Sequence, residues 1–557
     1  MYSSSTRVRF PQGFEAPNLS ILFGSFRINN NENTDRISEL PDDLLCHILS
    51  YLPTRDVIRT SILSNRWRSV WTLVPVLNFD YAEIPNERFI ECVNSTLIQR
   101  DRQPIKKLSL KFSYTCYNLA LVEACGKAAL HCKVEHFELL SFRRMPPRVL
   151  TCRTIVVLIL REIYLPIPVS NSSIYLPMLK TLCLERVGFG YTNSNDIIKL
   201  LRGCPILEQL KLIRLMISPL EVTSHVHLPM LKSLHLDDDF LKLFDGFPVL
   251  EQLKLITSFH RVEITSLVHH LPMLKTLHLS GVYLGASHVF AKLLSSCLAL
   301  EQLKLELLDL NSLKFTSHAH LPKLKTLHLK GVQFRASDGI IKLFCGCPVL
   351  EQLVMRIIRV DPNSACLPTH NPEWKISLPN LVEAETSIKF IASHHNLFKA
   401  LYNVQQLSLI MKNGIMAYEM QSLGNNIPMF HNLTHLKLEF DYLKYWWDVM
   451  AMMLHSSPKP KSLVIEKPFC GYRPPEYGGK PPQHVPECVA VHLEERKGSM
   501  WQHNFPAFPS LLCPWDVLAK MLESSPKLKS LVIHKLIWYC SPPALGSNPP
   551  QYVPKMS

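Results

Sequence analysis

Two leucine-rich phrases alternate through the middle of the chain. The first reads LPMLKTLCL from Leu176 and returns as LPMLKSLHL, LPMLKTLHL and LPKLKTLHL. The second reads CPILEQLKL from Cys204 and returns as FPVLEQLKL, CLALEQLKL and CPVLEQLVM. Both contain L-x-x-L-x-L, whose first leucine recurs every 19 to 28 residues from Leu179 to Leu350. Each copy must build the same local structure, so this repetition constrains the fold more than any other feature.

The spacing is that of a leucine-rich repeat. Each L-x-x-L-x-L is expected to form a short strand with inward leucines, while segments such as NDIIKLLRG and SDGIIKLFCG have helical spacing and return the chain. One unit cannot bury its own leucines, so the units stack into a curved solenoid with the strands on its concave face. We place this solenoid at residues 100–412. Weaker copies flank the strong ones, near Ile105, Val134, Val404 and Leu433.

The residue between the last two leucines of each strand is expected to point into the concavity. In chain order these residues are Cys183, Lys211, His235, Lys254, His278, Lys304, His328 and Val354. The surface they predict is polar, rich in hydrogen-bond donors and partly titratable near neutral pH. An acidic or phosphorylated protein substrate would complement it. The predicted substrate-binding residues are Lys211, His235, Lys254, His278, Lys304 and His328. Recent duplication of one ancestral pair would leave the same ladder without a binding role.

The sequence offers little sign of catalysis, a cofactor or a metal site. It contains no P-loop, dinucleotide glycine pattern, G-x-S-x-G, HExxH or CxxC. Histidines two strands apart would lie about 10 Å apart, too far to share a zinc ion that needs nitrogens at about 2.1 Å. Cys204, Cys297 and Cys347 recur at one position, which favours small buried packing groups. We therefore expect a protein that is not an enzyme, with no catalytic, metal or cofactor residues.

Charge and hydropathy limit the partners. The net charge is +14, but the basic residues are spread along the chain without the dense run typical of a nucleic-acid arm. The longest purely apolar run, IVVLIL from Ile155, is far short of a membrane span. The N-terminus has no apolar signal region, so the cysteines are expected to be reduced. These features predict neither a nucleic-acid nor a membrane partner, and a cytoplasmic and/or nuclear location.

A short apolar helical unit precedes the repeats. In LPDDLLCHILSYLP, from Leu40 to Pro53, the leucines and isoleucine form one helical stripe. Trp67 and Trp71 follow, one helical turn apart, and could either pack the helices together or lie in an interface. A unit of this size rarely buries such a surface alone. The sequence therefore predicts either docking on a partner or packing as a cap on the first repeat.

Residues Asp35 to Asp80 closely resemble an F-box. The matching elements are LP before two acidic residues, LL-xx-ILS-x-LP, T-R-D, T-S-x-LS-x-RWR, and Trp71 before VP. The resemblance is to the plant F-box group with leucine-rich repeats. It implies that residues 35–81 dock on a Skp-type adaptor, which joins them to a cullin, while the repeats bind a target protein for ubiquitin transfer. The adaptor-binding residues it implies are Leu40, Pro41, Leu44, Ile48, Leu49, Leu52, Pro53, Val57, Trp67 and Trp71.

On this interpretation the protein is the non-catalytic substrate-recognition subunit of a Skp–cullin–F-box (SCF) ubiquitin ligase. The polar positions Thr54, Asp56, Ser64 and Arg66 also match the family, and a generic end cap would not require them. Two alternatives remain. One is a repeat scaffold with a relic F-box. The other is a small-molecule co-receptor, which would need a deep pocket in the concave face.

The C-terminal part contains a duplication. WDVMAMMLHSSPKPKSLVIEK from Trp447 matches WDVLAKMLESSPKLKSLVIHK from Trp515. With VPEC and HLEE after it, the first copy resembles the FBD region of the same plant group. We assign 413–500 to an FBD-like region and 501–557 to a partial second copy, arising from fusion of two gene copies or a misjoined gene model. With a mobile tail at 1–34, the predicted fold class is α/β.

Overall fold

The computed structural model describes most residues between 37 and 469, with gaps mainly in the connections between strands, and residues 530–537. It separates into two compact units, Met1–Leu77 and Asn78–Ser557. The predicted tail at 1–34 lies outside the described residues, as does most of the predicted second copy at 501–557. The combination of a helical unit and a repeat sheet confirms the α/β fold class.

The first unit is helical. Its elements are α1 (Asp42–Leu49), α2 (Thr54–Arg59), a 3-10 turn (Thr60–Ile62) and α3 (Trp67–Leu73). A proline stands directly before each of the first two helices, Pro41 before α1 and Pro53 before α2. Asp42 and Asp43 occupy the first turn of α1, where a carboxylate is favoured by the positive end of the helix dipole.

The second unit is a repeat of strands and helices. Its strands, with the one that spans the boundary between the units, are Val76–Asp80 (β1), Lys107–Lys111 (β2), His136–Leu140 (β3), Val157–Arg161 (β4), Tyr164–Leu165 (β5), Thr181–Glu185 (β6), Gly188–Phe189 (β7), Gln209–Ile213 (β8), Ser233–Asp237 (β9), Gln252–Ile256 (β10), Thr276–Ser280 (β11), Gln302–Glu306 (β12), Asp309–Leu310 (β13), Thr326–Lys330 (β14), Gln333–Phe334 (β15), Gln352–Arg356 (β16), Arg359–Val360 (β17), Glu383–Ser387 (β18), Gln406–Met411 (β19), His435–Phe440 (β20), Ser462–Phe469 (β21) and Ser530–Ile537 (β22). Its described helices are Asn86–Gln99 (α4), Leu119–His131 (α5), Asn195–Arg202 (α6), Ser287–Ser296 (α7), Ser337–Cys345 (α8), His395–Ala400 (α9) and Trp446–His455 (α10).

The long strands from β2 to β22 pair in chain order in one sheet, and the registers are parallel throughout. The short strands form two small sheets beside it, β5 with β7 and β13 with β15 and β17. Equivalent leucines are register partners, for example Leu210, Leu234 and Leu253. The first leucines of the eight strong phrases are all at most 1% exposed. The predicted repeat strands with inward leucines are therefore confirmed.

The connections also follow a repeated plan. The two segments predicted to be helical form α6 and α8. A left-handed residue directly follows many long strands, with φ of 53° at Arg186, 67° at Gly281 and 64° at Gly331. At Gly281 a Cβ would lie 2.3 Å from the Thr257 carbonyl oxygen, so that turn requires glycine.

The C-terminal strands continue the same sheet. β19 pairs with β20, β20 with β21, and β21 with β22. The last pairing aligns the two duplicated segments, starting from Ser462 opposite Ser530. The strand of the second copy thus adds one more repeat to the first. The described strands β19 and β20 pair on either side of the predicted boundary at 412, and position 500 lies outside the described residues, so both boundaries stay predictions.

Candidate protein-binding surfaces

The first unit is built around a small apolar core to which α1, α2 and α3 all contribute. Its members are at most 5% exposed: Leu45, Leu49, Val57, Trp67, Val70, Trp71 and Val74. The two tryptophans therefore pack the helices together, which is one of the two roles that the sequence left open for them.

The other side of α1 is apolar and exposed. Leu44 is 50% exposed, Ile48 is 49% exposed, and Leu52, just beyond the helix, is 41% exposed. Their spacing of four residues places them along one helical face. We call Leu44, Ile48 and Leu52 the α1 patch. An apolar surface left open in this way is typical of an interaction site.

The ten residues predicted to contact an adaptor divide between these two environments. Leu49, Val57, Trp67 and Trp71 lie in the core, where the unit's own packing covers them. Their predicted contact with an adaptor stays a prediction, and in the free unit they pack the helices. The other six keep exposed area, and their role in binding stays a prediction: Leu40, Pro41, Leu44, Ile48, Leu52 and Pro53.

Arg66 ties the start of α1 to the start of α3. Its guanidinium donates to the Asp42 carboxylate at 2.6 Å and to the Leu40 carbonyl. Ser64 accepts a hydrogen bond from the Trp67 amide at 3.5 Å. Two of the polar positions that match the family therefore have structural roles within the unit.

The six predicted substrate-contact residues occupy one position on six neighbouring strands, from β8 to β14. Lys211 is the register partner of His235, which is the partner of Lys254. The alternation continues through β11, β12 and β14 to His328. All six side chains are partly buried. We call the strand face that carries them the ladder face. Its order is as predicted, while its binding role stays a prediction.

The histidines of the ladder face are uncharged at neutral pH. Burial, together with the charges of Lys254 and Lys211, lowers the pKa of His235 to about 4. Burial also lowers the pKa of His278 and of His328, in the first case against the opposing effect of a hydrogen bond with a glutamate. This corrects the expectation of titration near neutral pH: the lysines carry the positive charge of the ladder.

On either side of the three strands β8 to β10, the charged groups of this strand face pair with one another. On β3 to β6, Arg161 lies 2.6 Å from Glu138 and 3.4 Å from Glu185. On β12, Glu306 lies 3.2 Å from Lys304, and it contacts the neighbouring histidine on β11 at the same distance. A ligand anion would therefore meet carboxylates at either end.

The strands between these two groups differ. Lys211 and Lys254 form no ion pair with any residue that the structure describes. Two positions earlier on the same strands, Gln209 and Gln252 are exposed. The Gln252 side-chain oxygen accepts from Ser233 at 3.3 Å, and that of Gln209 accepts from the equivalent threonine on β6 at 3.4 Å. Both amide NH₂ groups are thereby left as donors.

A second charged column, which the sequence reasoning missed, runs beside the strand starts. It consists of the residue after the first leucine of each phrase: Lys180, Glu208, Lys232, Glu251, Lys275, Glu301, Lys325 and Glu351. Glu208 lies 3.1 Å from Lys180 and 2.9 Å from Lys232, and Lys275 lies 3.0 Å from Glu251. We call it the rim column. The sequence could have predicted this column, because the first leucine is followed alternately by Lys and Glu in the two phrases.

An open depression of about 610 Å³ lies beside the end of the rim column. Its lining includes Glu301, Lys325, Glu351, Val349 and Asn380. It is charged, and none of its lining residues belongs to the ladder face. It thus differs from the deep concave pocket that the co-receptor alternative requires.

The repeated cysteines are packing groups. Cys204 and Cys347 donate weakly to carbonyls one turn earlier, at 3.2 and 3.1 Å. Burial raises the pKa of both to about 12, and that of Cys297 to about 11. Among the described residues, no group of three His, Cys, Asp or Glu side chains could hold a metal ion. No described helix is long and apolar enough to cross a membrane.

Comparison with known proteins agrees with this architecture. The chain matches the F-box domain family over residues 37–79 and the Leucine Rich Repeat family over 178–205, 273–298 and 323–348. It is 36% identical over 220 residues to an F-box/LRR-repeat protein of Arabidopsis thaliana, covering 38% of this chain and 70% of that protein. It is 35% identical over 189 residues to an Arabidopsis F-box/FBD/LRR-repeat protein, covering 33% of this chain and 42% of the relative.

Fold and matches together define an F-box protein with leucine-rich repeats. More particularly, the chain belongs to the plant F-box/LRR-repeat family, and several of its relatives bear an FBD region. It spans about four tenths of the length of the first of these relatives.

Two solved structures align with the chain at low similarity. The plant peptide hormone receptor RGFR1 in complex with RGF2 gives a TM-score of 0.28 at 12% identity, covering 66% of this chain and 59% of the receptor chain. The complex of Rad7 and Elc1 in yeast gives 0.26 at 17% identity, covering 67% and 87%. At these scores neither structure bears on the partners of this chain.

Proposed function

We propose that this protein is the substrate-recognition subunit of a Skp–cullin–F-box type ubiquitin ligase. In this role the α1 patch docks on a Skp-type adaptor, the adaptor joins the protein to a cullin, and the ladder face binds the target protein. The subunit itself is non-catalytic. Its contribution is proximity, since it holds a target lysine near a ubiquitin carrier supplied by its partners. The proposed location is the cytoplasm, the nucleus or both.

The exposure of the α1 patch carries this proposal. The helix already uses Leu45 and Leu49 for the core, so the patch is not needed to hold the unit together. Fully burying a leucine or isoleucine contributes about 1.5–3 kcal/mol. The three patch side chains are roughly half exposed, so covering them would contribute roughly 3 kcal/mol to docking.

The test is binding of the purified chain to a plant Skp-type adaptor, with Leu44→Asp/Ile48→Asp beside wild type. In the free protein both carboxylates can reach water, so the variant should fold, as circular dichroism would verify. In the complex they would be buried without partners, which costs several kcal/mol and should abolish binding.

A matched control is Ile98→Asp/Leu307→Asp, which makes the same two chemical changes at positions 77% and 68% exposed outside the F-box. This variant should bind like wild type. Equal binding by the patch variant would contradict the proposal. Failure of wild type to bind would instead support a repeat scaffold with a relic F-box.

A further inference from the structure

On its first three strands, β8 to β10, the ladder face carries two lysines whose charge no described carboxylate pairs with. Lys211 on β8 and Lys254 on β10 flank His235 on β9, and both lysines lack an ion pair with any described residue. The histidine between them is neutral at pH 7. Asp237, two positions after His235 on β9, lies 4.0 Å from Arg214. A ligand would thus meet two separate cations with a neutral side chain between them.

The ion pairs at the two ends confine this stretch to three strands. Beyond β8 on one side lies the buried neutral thiol of Cys183, and then Arg161 with its two glutamates. Beyond β10 on the other side lies the His278–Glu306–Lys304 group. Between these two groups, the described ladder positions that offer an unpaired cation to an anionic ligand are Lys211 and Lys254.

The glutamines described above add directional donors to these charges. Gln209 stands beside Lys211 and Gln252 beside Lys254, two residues apart on the same strand face. Each amide NH₂ can donate to a peptide carbonyl of a chain that crosses the strands. The same pair, one cation and one amide donor, thus occurs twice.

The distance between the two pairs sets the spacing of the ligand groups. Neighbouring strands lie about 4.8 Å apart, so Lys211 and Lys254, two strands apart, are separated by roughly 10 Å. A peptide in the polyproline II conformation rises about 3.1 Å per residue with three residues per turn, so its side chains at positions i and i+3 point the same way and lie about 9 Å apart. Acidic groups at positions i and i+3 of such a segment would meet both lysines.

We propose that the target segment bound by this face is a peptide in the polyproline II conformation, crossing β8 to β10, with two acidic side chains three positions apart. Either carboxylates or phosphate groups fit, since both are anions that accept from ammonium and amide donors. The inference rests on the proposed function, because it names the class of target that the ladder face would recruit.

The test measures binding of fluorescent glycine/serine peptides to the purified full chain by anisotropy at low ionic strength. One series carries two aspartates and another two phosphoserines, spaced one, three or six positions apart. The three-position peptides should bind most tightly, and their affinity should fall with added salt. The stronger series identifies the anion as carboxylate or phosphate.

Lys211→Gln/Lys254→Gln should weaken binding of the three-position peptides by about tenfold, the order expected for two solvent-accessible ion pairs. Lys232→Gln/Lys275→Gln is the matched control, since it removes two rim-column lysines and the same charge. It should change the affinity by less than about twofold.

Equal binding of all spacings, no binding at all, or equal losses in both variants would overturn the proposal. Single-stranded DNA is tested in the same assay. If it binds more tightly than the peptides, and if Lys211→Gln/Lys254→Gln weakens that binding, the ligand class would be nucleic acid and the proposal would be overturned. Adaptor binding is measured separately through the α1 patch. If the adaptor fails to bind while the peptide preference holds, only the ligase role is lost.

Discussion

The lowered pKa of His235 implies that the free energy of unfolding depends on pH in a defined way. Its pKa is lowered to about 4 in the folded protein, against 6.5 for an unperturbed imidazole. As the pH falls, the unfolded chain therefore takes up this proton first. The stability conferred by the neutral imidazole is fully present above about pH 6.5 and is lost between pH 6.5 and about pH 4.

The size of the effect follows from the shift. A fully buried group with these two pKa values would lose about 2 kcal/mol between pH 7 and pH 5. His235 is only partly buried, so solvent screening reduces the expectation to about 1 kcal/mol.

The assay is urea unfolding of wild type and His235→Gln at pH 7, 6 and 5. Between pH 7 and pH 5, the free energy of unfolding of the variant should fall by about 1 kcal/mol less than that of wild type. The reason is that glutamine is polar but does not bind a proton in this range. The exposed His431→Gln serves as the control for loss of an imidazole. Parallel curves for wild type and His235→Gln would refute the reasoning.

Two further predictions concern the repeat core. Thr386 is fully buried at a position that carries leucine in other repeats, and its Oγ1 lacks a hydrogen-bond partner in the described structure. Thr386→Val should therefore raise the free energy of unfolding, measured in urea, by about 1 kcal/mol. A lower free energy of unfolding in the variant would show that the hydroxyl is hydrogen-bonded. Burial and the raised thiol pKa values protect Cys204, Cys297 and Cys347, so a thiol reagent followed by peptide mapping should modify them only after unfolding, and native labelling would contradict their assignment as packing groups.

The repeat sheet could be predicted from the sequence because each phrase specifies its own strand. The inward leucines and their register follow from L-x-x-L-x-L alone. The strand β18 was not predicted from the sequence, because Ala384 and Thr386 replace the last two leucines of the phrase. The segment LPNL from Leu378 nevertheless resembles the start of the other phrases. Where the fold accepts a smaller or polar side chain at an inward position, the pattern of apolar residues no longer predicts the strand.

The F-box surface could be predicted only in part, for a geometric reason. The apolar stripe of α1 spans two helical faces, because successive residues are rotated by 100°. Leu45 and Leu49 face the core, while Leu44 and Ile48 remain exposed. Hydrophobicity alone cannot assign which half packs inward, since that depends on where α2 and α3 lie.

Because two phrases alternate along the chain, neighbouring strands carry opposite charges in the rim column but a lysine and a neutral histidine on the ladder face. In the rim column this alternation places Lys beside Glu, so neighbouring strands attract, as Glu208 does with Lys180 and Lys232. On the ladder face it places a neutral imidazole between lysines, so like charges stand two strands apart. Lysines on adjacent strands would repel by roughly 1 kcal/mol even in water, and doubling the distance halves this. The duplication thus stabilises strand stacking at the rim, while Lys211 and Lys254 keep their charge available for a ligand.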